Sequence, residues 1–196
     1  MSSNPTSRTN IYGMKLIFKN SGLNYSLYKS SYITKNYDEI VRDCYSTHAK
    51  FKKMFSGDST WSFSCYNIFN LSSTSLHFYN IYKDLIAVIK DFRIIQEPLW
   101  VQSWINFHKS NEVLDWHDHY WCYHGYICID PKESETQFEQ YSIKNEVGLI
   151  YIGPCERKHK VNILKNYDGE RITLGFDVTR LINLHRDLFN SFIPII

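Results

Sequence analysis

The chain has 196 residues, with 22 Lys+Arg against 20 Asp+Glu and a net charge of +2. That length suits one domain of about 100–200 residues, and the near-neutral charge argues against a generic nucleic-acid binder, which carries a basic stripe. Hydrophobic residues make up 43% and aromatics 16%, a globular composition rich in residues that favour strands, which excludes collagen, coiled coil and bulk disorder.

Residues 1–12 are polar and are expected to fray. Residues 14–18 and 25–33, rich in Ile, Tyr and Leu, read as strands. Residues 38–55 read as a weak helix with Ile40, Cys44 and Phe51 as its apolar face, ended by Ser56-Gly57-Asp58. The strongest helix is predicted over Leu76–Phe92, where Phe78, Ile81, Tyr82, Leu85, Val88, Ile89 and Phe92 recur at helical spacing to form a core-facing stripe. The stretch from Ser72 to Ser75 supplies its N-cap. After Pro98, residues 99–107, 123–129, 146–152 and 171–178 read as short strands. Asp130-Pro131, Gly153-Pro154 and Tyr167-Asp168-Gly169 are the turns between them. The expected fold is mainly β with flanking helices around a jelly-roll, cupin-like core. Residues 1–196 form one domain in this reading: N-terminal strands and supporting helices over 13–97, the jelly roll over 98–180, and a C-terminal segment over 181–196.

No apolar run approaches the length of about 18 residues that a membrane span needs. The opening MSSNPTSRTN lacks the apolar stretch of a secretory signal. Five cysteines with no Cys-x-x-Cys pair fit reduced thiols in a cytoplasmic protein better than a disulfide framework or zinc knuckle.

The chemistry concentrates in histidine. His108, His117, His119, His124 and His159 fall in the second half of the chain. On an extended strand, His117 and His119 share a face and present two imidazoles to one metal; Fe, Zn, Cu and Ni all accept this ligand. His159 follows the strand Gly148–Pro154, and a jelly roll brings such late residues to the same mouth. Against this stands the reading in which the His-x-His pair is incidental. Arg171, Thr173, Gly175 and Asp177 alternate with apolar Ile172, Leu174, Phe176 and Val178. If the first set points into the barrel, the guanidinium needs an anion, which arginine grips bidentately, with the Thr173 hydroxyl beside it. The plainer alternative is a surface salt bridge from Arg171 to Asp168 or Glu170. Trp104, Trp116, Trp121 and Tyr123 are candidates for the rim of a substrate mouth or for ordinary packing.

GLIYIGPCERKHKV, beginning at Gly148, and ERITLGFDV, beginning at Glu170, resemble the C-terminal signature of the Fe(II)- and 2-oxoglutarate-dependent oxygenases. In that signature a Gly-led strand, a turn and a His-x-Val precede an Arg-x-Ser/Thr. VQSWINFHKSNEVLDWHDHYW resembles the family's upstream strand and metal motif. The resemblance spans roughly residues 76–180 and is strongest to an HxH-bearing branch, much of it phage-encoded. It implies a double-stranded β-helix, with His117, His119 and His159 holding Fe(II). It further implies that Arg171 and Thr173 bind the far carboxylate of 2-oxoglutarate, with O2 as the oxidant. The implied product is an oxidised, hydroxylated substrate, with succinate and CO2. His119 stands where the family has Asp or Glu, so three neutral imidazoles leave the site one unit more positive than usual. Asp118 points to the other face of an ideal strand and is a poor substitute unless a bulge intervenes. Cys128 replaces a tyrosine often found near the co-substrate, and Tyr126, on the same strand face, takes its part. The rival readings are a three-histidine, cupin-type thiol dioxygenase and a non-catalytic jelly-roll binding or structural protein. The substrate is expected to be a small molecule or peptide, with no membrane partner; oligomeric state is not readable.

Overall fold

The computed structural model describes residues 13–54, 66–93, 96–112, 114–180 and 191–195. The fraying expected of residues 1–12, the Ser56-Gly57-Asp58 helix stop and most of the C-terminal segment lie outside the described residues.

The chain is mainly β, folded as a jelly roll of two antiparallel sheets. In chain order it runs β1 (Met14–Asn20), β2 (Tyr25–Ser30), α1 (Ser31–Lys35), α2 (Tyr37–Met54), α3 (Ile68–Leu71), α4 (Leu76–Phe92) and β3 (Leu99–His108). It continues with β4 (Tyr123–Asp130), β5 (Ser134–Phe138), β6 (Ser142–Lys144), β7 (Leu149–Pro154), β8 (His159–Ile163), β9 (Arg171–Arg180) and β10 (Ile193–Ile195). The large sheet has the order β1-β2-β7-β4-β9-β3-β10, and the small one β6-β5-β8.

Several departures from the sequence reading have local causes. The strand expected to reach Ile33 stops at Ser30, whose side chain accepts a hydrogen bond from the Ile33 amide at 3.1 Å and caps α1. The strand expected from Glu146 starts at Leu149, because Gly148 adopts a left-handed φ of 79° and turns the chain beside Ser30. Strands β5, β6 and β8 carry short, largely polar sequences with no apolar run to mark them. By contrast α4 begins and ends as its periodicity predicts, capped by Ser75, which accepts from the Phe78 amide at 3.2 Å.

Both faces of the large sheet are covered. Ile172, Leu174, Phe176 and Val178 of β9, with Ile127 of β4 and Ile150 and Ile152 of β7, face the helices and join Ile40, Phe51, Phe78, Leu85 and Ile89 in the main core. Tyr126 and Cys128 of β4 and Leu149 and Tyr151 of β7 point the other way, and pack with Phe138 and Ile143 of the small sheet. The alternation along each strand thus assigns one set of side chains to the helix-covered core and the other to the space between the sheets. No helix among the described residues is long and apolar enough to cross a membrane. Cys44, Cys122, Cys128 and Cys155 are free thiols.

Candidate metal centre

A cavity opens between the sheets. From the large sheet it is lined by Trp104, Asn106, His124, Tyr126, Arg171 and Thr173. Thr136, His159 and Val161 close it on the small-sheet side, and Leu114, His117 and His119 close it from the β3–β4 connection.

That connection is not the extended strand the His-x-His spacing suggested. It is pinned at separate points: His117 and His159 exchange backbone hydrogen bonds at 3.0 and 2.9 Å as an isolated bridge, the His119 amide donates to the Cys155 carbonyl at 3.0 Å, and the Cys122 amide to the Val178 carbonyl at 2.8 Å. Strand alternation therefore does not place these rings; tertiary pinning does. The outcome is still convergence: His117, His119 and His159 each offer a ligand atom, all within 4.8 Å of one another. Asp118 belongs to no such cluster among the described residues.

The hydrogen bonds behind the rings set their tautomers. His117 Nδ1 lies 2.7 Å from the Asp115 carbonyl, and His159 Nδ1 lies 3.0 Å from the Arg157 carbonyl. His119 Nδ1 lies 3.1 Å from Asp177 Oδ2. A carbonyl or carboxylate oxygen only accepts, so each Nδ1 donates and each Nε2 is the nitrogen left to face the cavity. His119 Nε2 is buried with no hydrogen-bond partner. Burial pushes His117 below the ordinary histidine value and His159 far below it, with neighbouring imidazoles adding to the effect, which favours the neutral ring in both at neutral pH. Imidazoles with Nδ1 tied back to an acceptor leave Nε2 to ligate a divalent first-row metal, so these residues fit one.

Behind His119 lies a residue that sequence reasoning placed on the inner face of β9 without a role. Asp177 is 1% exposed and accepts from both His119 and His124, the latter at 2.9 Å. Burial alone would raise its carboxyl; the two histidines outweigh that and hold it below the usual carboxylate range. His124 is pushed down to about 4, by burial first and then by the nearby His119. The His119 ring stacks on His124 at 3.6 Å and on Trp104 at 5.9 Å between centroids.

At the other end of the cavity, Arg171 is 4% exposed. It is paired with neither Asp168 nor Glu170, and among the described residues no carboxylate lies within ion-pair distance of it. Its Nε has no hydrogen-bond partner, and Cys128, Tyr167 and Tyr126 are the ionisable groups that act on it electrostatically. Thr173 accepts from Asn106 Nδ2 at 3.3 Å, leaving Asn106 Oδ1 unpartnered. Tyr126 lines the same cavity. Asn106 and Thr136 were not singled out from sequence; they line the cavity with Arg171, Asn106 through the β3–β9 pairing and Thr136 from β5 of the facing small sheet.

Of the aromatic residues offered for the mouth, only Trp104 lines the cavity. Trp116 is at the surface beneath the Lys160 ammonium, Trp121 packs edge-on against Phe192, and Tyr123 packs against Phe92 on the helix side of the sheet.

No family model matches this chain, and no curated protein is similar to it in sequence. Among solved structures, an oxidoreductase of the 2OG-Fe(II) oxygenase family from Burkholderia pseudomallei is similar at TM-score 0.45 and 14% identity, over 56% of this chain and 61% of that one, under two thirds of its length. The non-heme monooxygenase ThoJ in complex with nickel matches at TM-score 0.40 and 10% identity, over 49% of each chain. A cupin-superfamily protein from Desulfitobacterium hafniense matches at TM-score 0.33 and 13% identity, over 45% of this chain and 85% of that one.

Proposed function

We propose that this chain is an Fe(II)- and 2-oxoglutarate-dependent oxygenase acting on a small molecule or peptide. The observation that carries the reading is Arg171. A buried guanidinium without an acid is costly unless an anion arrives, and this one shares its cavity with three histidines whose ligand atoms lie within 4.8 Å of one another. Fe(II), when bound with 2-oxoglutarate and O2, supplies oxidation of a substrate C–H bond coupled to decarboxylation of the co-substrate to succinate and CO2. The protein's part is positional. His117, His119 and His159 hold the metal through Nε2. Arg171 grips the far carboxylate of 2-oxoglutarate, with the Thr173 hydroxyl, Asn106 and Tyr126 beside it. Trp104, Leu114 and Val161 wall the cavity with apolar surface and keep water away from the reacting centre.

The test is anaerobic titration of the Fe(II)-loaded protein with 2-oxoglutarate, followed by the charge-transfer absorption of the bound keto acid. Arg171→Ala is expected to weaken 2-oxoglutarate binding by roughly 10- to 150-fold while metal affinity holds, since hydrogen bonds to charged groups contribute about 1.5–3 kcal/mol. Arg171→Lys recovers part of it, keeping the charge but losing the planar fork. Equal binding in wild type and Arg171→Ala, or none in wild type, overturns the reading. The all-histidine ligand set favours a second reading, a thiol dioxygenase, in which the loaded protein ignores 2-oxoglutarate and binds a thiol.

A further inference from the structure

We infer that Asp177 is the carboxylate that this metal centre lacks, moved behind His119 and acting through it as a positioning residue. The inference rests on the metal-binding reading above. A site of two histidines and one carboxylate carries one negative charge in contact with the metal; His117, His119 and His159 carry none. Asp177 Oδ2, 3.1 Å from His119 Nδ1, restores that charge one imidazole away. A carboxylate accepting from the outer nitrogen of a ligating histidine makes the ring a stronger donor and fixes its orientation. Here the orientation is over-determined. The ring is tied at Nδ1 by Asp177 and flanked by His124 at 3.6 Å and Trp104 at 5.9 Å between centroids. Asp177 is itself clamped, because its other oxygen accepts from His124 at 2.9 Å, directly across the β4–β9 ladder. The backbone that carries this carboxylate is the strand that carries Arg171, so β9 would hold the far end of the co-substrate and tune the metal together.

The rival role for Asp177 is structural, a buried partner for His124 with His119 incidental. A double-mutant cycle separates the two. The probe is Co(II), bound anaerobically to the full chain, with affinity read by chelator competition and ligand field by the visible d–d bands. Asp177→Asn is expected to lower Co(II) affinity roughly 10- to 100-fold and shift the bands. In the His119→Asp background, where a carboxylate contacts the metal directly, the same change is expected to cost nothing or to raise affinity by relieving like-charge repulsion. Unchanged affinity and spectrum in Asp177→Asn overturn the inference and leave the metal-binding reading standing. Equal losses in both backgrounds also overturn it, assigning Asp177 to His124 alone. A wild type that binds no Co(II) overturns the metal-binding reading itself. Should Asp177→Asn not fold, ring nitrogen-15 NMR of the zinc-loaded wild type decides: a protected Nδ1–H on His119 supports the inference, and an Nε2–H tautomer overturns it.

Discussion

At the scale of single residues, the cavity is a set of polar groups held in fixed protonation states by burial. His124 titrates at about 4, and His159 lies far below the ordinary 6.5, in both cases because desolvation penalises the charged ring first and neighbouring imidazoles add to it. The unfolded chain takes up these protons near pH 6.5 and the folded chain does not. Below that value the unfolded state binds more protons, so stability is lost as pH falls, by about 1.4 kcal/mol per pH unit for each such histidine. The metal-free protein is therefore expected to lose on the order of 2–4 kcal/mol between pH 7 and 5. Asp177, held below the usual carboxylate range, adds its own loss only in more acid solution. Urea unfolding of metal-free protein at the two pH values checks this, and a flat profile would mean the rings are not buried neutral. Arg171 is the other charged group buried in the cavity, with no carboxylate within ion-pair distance among the described residues.

At the scale of elements, β9 is the organising strand. One face of it carries Arg171, Thr173, Gly175 and Asp177 and the other Ile172, Leu174, Phe176 and Val178, every one of them buried. Its close approach to β4 depends on Gly125, where an added Cβ would lie 2.1 Å from Phe176 Cζ and 2.2 Å from the Tyr151 carbonyl oxygen. A backbone oxygen cannot swing aside, so Gly125→Ala is expected to destabilise by at least about 1–3 kcal/mol, the usual range for overpacking. Gly175 differs, since its Cβ would meet the Trp104 ring at 2.5 Å. Gly175→Ala is expected to drive that indole off His119 and into the cavity, weakening metal and co-substrate binding more than the fold. Denaturant midpoints, tryptophan fluorescence and Co(II) affinity together distinguish the two variants; the assignment fails if Gly175→Ala binds Co(II) as wild type does.

At the scale of the whole molecule, most of the apolar core lies between the helices and the large sheet, on the side away from the metal centre. The fold is thus expected to form without metal, unlike a structural zinc domain that is unfolded when empty. The metal-free protein should melt in one cooperative transition. At a free concentration of about 100 times its Kd, a metal that binds only the folded state adds about 2.7 kcal/mol, which for this size is roughly 5–11 °C in Tm. Differential scanning fluorimetry over a metal titration measures it; a metal-free protein with no cooperative transition would contradict the expectation.

Much of this was legible in the chain itself wherever the signal is local. The stripe from Phe78 to Phe92 specified α4, the alternation from Arg171 to Val178 specified both faces of β9, and the histidine and Arg-x-Thr spacings marked the residues that meet in the cavity. Strands β5, β6 and β8 left little local trace, because short polar segments are stabilised by their neighbours in the sheet rather than by their own composition. What only the tertiary structure decided is which groups stand behind the clustered histidines. Asp177 meets His124 and His119 through the β4–β9 register and the pinning of the β3–β4 connection, and Asn106 meets Thr173 through the β3–β9 register. Those pairings join residues 53 to 67 positions apart, where no sequence period reaches. They are set when the sheet closes on its core, because a one-residue slip would exchange the buried faces of β9.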